Sequence, residues 1–256
     1  MERSQERRHA LPLYQDEGVV LRTVKLGEAD RIVTLLTRGH GKIRAVAKGV
    51  RRTKSRFGGR LEPFMRVSLL IAEGRSLDVV SQAESISAYA GSICSDFQAY
   101  TAANVICETS DKLVVAEKEP APAQYRLVLG ALNALAKHAH DPSAIGDSYV
   151  LRALAIAGWT PRLRACVVCG EPISSSLDWY FSIPAGGLMC VVDHTPESEA
   201  VSWDALCRLS ALVEGDWGEL DGVPVTPSIQ RETHQMVEEW GEYYLERPIR
   251  SMRLLD

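Results

Sequence analysis

The sequence predicts an α+β, multidomain protein, with a small β-barrel first and an α-helical domain after it. Three observations carry this. Five short runs rich in Val, Ile, Leu and Thr crowd residues 17–84, helical periodicity takes over after residue 90, and a turn-rich segment with three cysteines interrupts the helices at about 161–198. The 256 residues are 46% hydrophobic and 24% charged, which supplies an ordinary core. With no run of about 18 apolar residues, no membrane span is expected. The N-terminus carries charges without an apolar run behind them, so it is not a secretory signal, and residues 1–12 read as a flexible tail. Six cysteines are too few for a disulfide scaffold at this length, and the cytoplasm is the expected compartment.

The strand candidates come first. They are Gly18–Val24, Arg31–Thr37, Lys42–Lys48, Arg66–Ala72 and Ser76–Ser81, bounded by Gly, His and charged clusters. Gly39 and Gly41 flank His40 and suggest a tight hairpin between the second and third. Five such strands fit a small closed barrel, of which the five-stranded OB-fold is one example; the barrel domain is expected over 13–85. From 86 to 256 the texture is helical, with apolar periodicity over Asp96–Glu117, Gln124–His140, Ser143–Ala157, Trp203–Trp217 and Ile229–Leu245. Glu119-Pro-Ala-Pro separates the first two, and Asp141 or Ser143 is expected to cap the third.

Charge is divided unevenly along the chain. Residues 1–80 hold 17 Lys/Arg and 9 Asp/Glu, whereas the remainder holds 12 and 24, so a net of −4 hides +8 and −12. Between Thr37 and Arg66 stand ten cations and one acid, Glu62. Such density repels itself unless an anion relieves it, and a phosphate backbone is the natural partner because each contact releases condensed counterions. Strand alternation puts Lys42, Arg44 and Lys48 on one face. The loop Gly49–Gly59 adds Arg51, Arg52, Lys54 and Arg56, with Arg60 just beyond, and its glycines let it bend. Within it Phe57 is either a stacking platform for a base or a buried anchor.

Cys166-Val-Val-Cys169 is followed by Cys190. A CxxC turn lets two thiolates face one metal, and a second knuckle completes the tetrahedron. Here that knuckle ends in Asp193-His194 instead of a fourth cysteine. His194 is favoured as fourth ligand, because Cys3His is a common structural set, with Asp193 as the alternative; one structural Zn2+ per chain is expected. A redox CxxC lacks its setting here, and a zinc deaminase lacks the upstream His-x-Glu. Cys94, Cys107 and Cys207 read as small core residues. Walker loop, dinucleotide fingerprint and serine elbow are all missing, so an enzyme is disfavoured.

Gly18-Val-Val-Leu-Arg22, Gly27-Glu-Ala-Asp-Arg-Ile32, Ala45-Val-Ala-Lys-Gly-Val-Arg-Arg52, Ser55-Arg-Phe-Gly58 and Leu61-Glu-Pro-Phe64 resemble the N-terminal domain of the bacterial recombination mediator family RecO. Gly158-Trp-Thr-Pro-Arg-Leu163, the cysteine pair and Gly186-Gly187 before Cys190 are similar to its zinc segment. The resemblance implies an OB barrel, a helical domain and, inserted in the latter, a zinc-ribbon-like segment. It also implies a non-enzymatic activity in DNA repair: binding single- and double-stranded DNA, annealing complementary strands, and helping RecA load onto strands coated with single-strand-binding protein. The partners it implies are RecR, the acidic C-terminal tail of the single-strand-binding protein and, indirectly, RecF, at the nucleoid. Two further readings stand beside it: a zinc-dependent nucleic-acid-processing enzyme and an RNA-binding OB-fold regulator.

Overall fold

Strand β1 (Leu13–Leu26) is long enough to serve two neighbours. The computed structural model describes residues 12–255; the tail expected over 1–12 lies, Pro12 apart, outside them. The first half of β1 pairs with β4 (Met65–Ala72) and the second half with β2 (Asp30–Thr37), and a register shift between Val20 and Arg22 marks the bend. β3 (Gly41–Ala47) returns antiparallel to β2 through the turn Arg38–His40, with Thr37 opposite Gly41. β5 (Asp78–Ala88) runs antiparallel to β4 and parallel to β3. The five strands close in the order β1-β2-β3-β5-β4, an OB-type barrel. Along β4 the side chains alternate as a barrel wall requires, with Met65, Val67, Leu69 and Ile71 buried, as are Val33, Leu35, Ile43 and Val80 on the other strands. Both β1 and β5 run beyond their sequence-predicted ends. Gln15-Asp-Glu17 and Gln82–Ser87 dilute the apolar pattern, while the ladder to β4 continues through them.

A second departure lies after α2 (Phe97–Leu113), which stops four residues short of the expected Glu117. Residues Ala116–Ala121 belong instead to the barrel unit. Their position has a simple cause. β3 and β5 pair only at Ala45 and Val46, leaving the start of β3 with an open edge. Glu117 bridges to Lys42 there, and the Lys118 amide donates to the Lys42 carbonyl at 2.9 Å. The Lys118 ammonium reaches Asp78 at 3.0 Å, and the Tyr14 hydroxyl donates to the other oxygen of that carboxylate at 2.7 Å. Burial alone would push the Asp78 carboxyl up; the Gly74 amide, Tyr14 and Lys118 outweigh it and hold it below the usual range. Gly41 is needed for this closure. Its φ is +62°, and a Cβ there would lie 1.7 Å from the Glu119 carbonyl oxygen.

The helical unit comprises α1 (Tyr89–Ile93), α2, α3 (Pro122–Ala136), α4 (Pro142–Ile156), α5 (Trp203–Glu214), α6 (Trp217–Gly222) and α7 (Pro227–Leu245). Asp96, Asp141, Ser202 and Thr226 cap α2, α4, α5 and α7 with side-chain acceptors, Asp141 taking the Ala144 amide at 2.9 Å. α4 is buried almost all round, and two of its polar residues are tied internally: Asp147 to His234 at 2.8 Å, and Ser148 to the Leu212 carbonyl at 2.8 Å. A small sheet of β6 (Trp179–Ser182), β7 (Gly187–Cys190) and β8 (Glu199–Val201), in the order β7-β6-β8, shares the helical core through Trp179, Phe181 and Leu188. Among the described residues no helix is long and apolar enough to cross a membrane.

Candidate nucleic-acid interface and metal centre

The chain between β3 and β4 is anchored at its base. Asp30 accepts the Gly49 amide at 2.7 Å, the Arg51 amide donates to the Ala29 carbonyl at 3.0 Å, and the Arg51 guanidinium donates to the carbonyls of Gly27 and Glu28 at 3.2 and 2.9 Å. Consecutive turns then carry it forward, Ser55 N–H donating to Arg52 and Arg60 N–H to Phe57. Phe57, Leu61 and Phe64 are all almost completely buried. The flexible loop expected from its glycines is therefore pegged by three apolar side chains. Phe57 is the anchor and not an exposed stacking platform. The large apolar side chains Phe57, Leu61 and Phe64, set among glycines and charges, were the available signal. Replacing Phe57 by alanine is expected to cost about 3–5 kcal/mol, whereas loss of an exposed stacking ring would cost within about 0.5 kcal/mol. A urea midpoint separates the two.

The pegs turn the cations outward. Lys48, Arg51, Arg52, Lys54, Arg56 and Arg60 are exposed, and among the described residues none of the six joins an ion pair. Arg56 lies over the Phe57 ring at 4.7 Å, and Arg60 donates to the carbonyls of Arg56 and Phe57. These contacts order the side chains without cancelling their charge. The strand face differs. Lys42 is buried at 9% exposure, and the Arg44 Nε is 2.6 Å from a Glu117 oxygen. Arg31 pairs with Glu62 at 2.7 Å, and Arg38 and Arg66 both face Glu17. The ten-cation stretch thus divides into cations that are buried or face a carboxylate, and a loop part that meets none among the described residues.

In the helical unit, the turn after Cys166 returns by its Gly170 amide to the Cys166 carbonyl, while Cys166 N–H donates to Glu171 at 2.8 Å. β7 delivers Cys190, and a tight turn delivers Asp193, whose amide donates to the Cys190 carbonyl. Gly187 lets β7 lie against residue 162, for a Cβ there would sit 2.3 Å from the Arg162 carbonyl oxygen. One ligand atom each from Cys166, Cys169, Cys190 and Asp193 lie within 4.8 Å of one another. A tetrahedral zinc with bonds of about 2.0–2.3 Å asks for ligand separations of roughly 3.3–3.8 Å. Cys169 and Cys190 Sγ stand 3.8 Å apart, and Asp193 is 3.3–3.4 Å from Cys190 and Cys166. Burial works against a Cys166 thiolate, but the amides of Cys169, Cys190 and Val168 outweigh it and hold the thiol below its usual range. This donor set fits a thiophilic dication. His194, favoured from the sequence, is not part of it. Its ring stacks on Tyr180 at 4.0 Å, its Nδ1 meets the Val191 carbonyl at 2.9 Å, and the side chain is exposed.

A closed five-stranded barrel with a cationic loop, followed by a helical domain bearing a cysteine cluster, places the chain in the OB-barrel class, with the loop as its candidate nucleic-acid face. Residues 11–89 match the family description "Recombination protein O N terminal", and residues 94–253 match "Recombination protein O C terminal". The chain is 89% identical over 246 residues to the DNA repair protein RecO of Bifidobacterium adolescentis, covering 96% of this chain and all of that protein. It is 64% identical to the DNA repair protein RecO of Bifidobacterium longum over 96% of this chain and all of that protein, and 44% identical to that of Streptomyces coelicolor over the same shares. The chain belongs to the RecO family of DNA repair and recombination proteins.

Proposed function

We propose that this protein is a non-enzymatic recombination mediator. It binds single- and double-stranded DNA, anneals complementary strands, and helps RecA load onto single strands covered by single-strand-binding protein. RecR works beside it, RecF joins in gap repair, and the acidic C-terminal tail of the single-strand-binding protein recruits it, at the nucleoid in the cytoplasm. The observation that carries this reading is the loop: Lys48, Arg51, Arg52, Lys54, Arg56 and Arg60 present positive charge that no carboxylate offsets among the described residues. Two strands approach each other only when their phosphates are screened, and cations on a pegged loop supply that screening without choosing a sequence.

The cysteine cluster holds one Zn2+ through Cys166, Cys169, Cys190 and Asp193 in this reading. With four protein donors no coordination position stays open for water or substrate, so the ion's work is structural. It pins the chain around β6 and β7 to the helical core and takes no part in chemistry on DNA.

The test is annealing of complementary strands, each precoated with single-strand-binding protein, with and without the full-length chain and without nucleotide. Faster duplex formation with intact strands is expected. Unchanged annealing, or strand cleavage on a sequencing gel, would contradict the proposal.

A further inference from the structure

We infer that Glu117 sets the edge of the DNA path by occupying Arg44 in place of a phosphate. The inference rests on the DNA-binding reading of the loop and adds to it a residue that limits affinity.

Glu117 is held and not merely nearby. It bridges to Lys42, its neighbour Lys118 donates from the backbone to the Lys42 carbonyl at 2.9 Å, and the Lys118 ammonium grips Asp78 and Glu73 at 3.0 and 3.5 Å. On the other side the Glu119 carbonyl oxygen fills the space that a Cβ on Gly41 would need. From this fixed backbone the Glu117 carboxylate meets the Arg44 Nε at 2.6 Å. Both side chains remain accessible, 42% for Arg44 and 37% for Glu117, so the site is open to a solution anion. A guanidinium binds carboxylate and phosphate with the same fork. The carboxylate is tethered and a phosphate is not, so it competes at an effective concentration that a passing strand does not match. Lys42 beside it is buried, so the outer face of β3 offers DNA no uncompensated cation while the loop beyond it offers six. Glu117 thereby confines the backbone to the loop and weakens binding by one phosphate contact.

The experiment is a double-mutant cycle on the full-length chain, read by anisotropy of labelled oligothymidylate from about 50 to 200 mM salt. Glu117→Gln is expected to steepen the slope of log affinity against log salt by about 0.7, so its advantage over wild type grows about 2.5-fold as salt falls through that range. Arg44→Ala alone is expected to leave the slope unchanged, since its charge is already cancelled. Glu117→Gln in the Arg44→Ala background is expected to show no gain. Glu84→Gln, which removes equal charge from an exposed β5 carboxylate that joins no ion pair among the described residues, is expected to match wild type, and thermal midpoints confirm that each variant is folded. A wild-type slope in Glu117→Gln overturns the inference, as does a gain that survives without Arg44 or a shallower slope in Arg44→Ala alone. A loop variant that keeps the wild-type slope overturns the DNA reading itself, which separates the two failures.

Discussion

With Arg52, Lys54 and Arg56 all replaced by alanine, the protein is expected to fold normally and bind single-stranded DNA weakly. None of the three joins an ion pair among the described residues, and all three are exposed, so each costs little stability, within about 0.5 kcal/mol for Arg52 and Lys54. Arg56 also gives up its place over Phe57, about 0.5–1 kcal/mol more. For DNA the arithmetic differs. If each cation neutralises one phosphate, the salt slope becomes shallower by about 2. Between about 50 and 200 mM salt wild-type affinity then falls roughly 20-fold more than that of the variant. The loss is uniform across sequences, because phosphate contacts fix register and carry no base identity. Arg51 is left out deliberately. Its guanidinium ties the loop to the carbonyls of Gly27 and Glu28, so its replacement would mix a binding effect with a structural one.

The second large effect concerns the metal. Purified protein is expected to carry one zinc per chain, and Cys166→Ser none, by elemental analysis. Zinc binding in small modules is worth about 10–16 kcal/mol near neutral pH, so its loss is not confined to the ligands. Cys166 and Cys190 share a core with Trp179, Phe181, Leu188 and Trp240, and unpinning this segment exposes part of that core. A lowered thermal midpoint and new protease sites between about 161 and 198 are the expected signs, and a chelator should reproduce them in wild type. Two further variants test the geometry. Asp193→Ala should lose zinc or bind it far more weakly, whereas His194→Ala should keep it, because that imidazole is engaged with Tyr180 and Val191. Zinc retained in Asp193→Ala and lost in His194→Ala would reverse the assignment.

Much of the barrel was legible in the sequence because the apolar centres of its strands are β-branched and separated by glycine turns, and the Gly39-His40-Gly41 hairpin lies where the spacing puts it. The ends of β1 and β5 were not, since backbone pairing with β4 carries polar residues that hydrophobic periodicity cannot see. Residues 114–117 were misread as the end of a helix. Pro120 explains why the helix cannot continue, but the destination of the chain depends on an open edge of β3 some 70 residues earlier in the sequence. The basic stretch was visible as a count of charges, whereas its division was not: whether Arg44 faces solvent or Glu117 is a tertiary fact. In the cysteine segment the three thiols were evident from spacing. Which side chain joins them turned on the tight turn after Cys190, which brings Asp193 beside the sulfurs and leaves His194 exposed.

The loop is the centre of the account, and one measurement reaches it directly: the rate at which complementary strands coated with single-strand-binding protein anneal in the presence of wild type and of the Arg52, Lys54 and Arg56 triple-alanine variant, at equal protein concentration and matched thermal midpoint. Rapid annealing is expected of wild type, and of the variant a rate near that of the strands alone, with the difference closing as salt rises. Equal rates for the two proteins at low salt would contradict it.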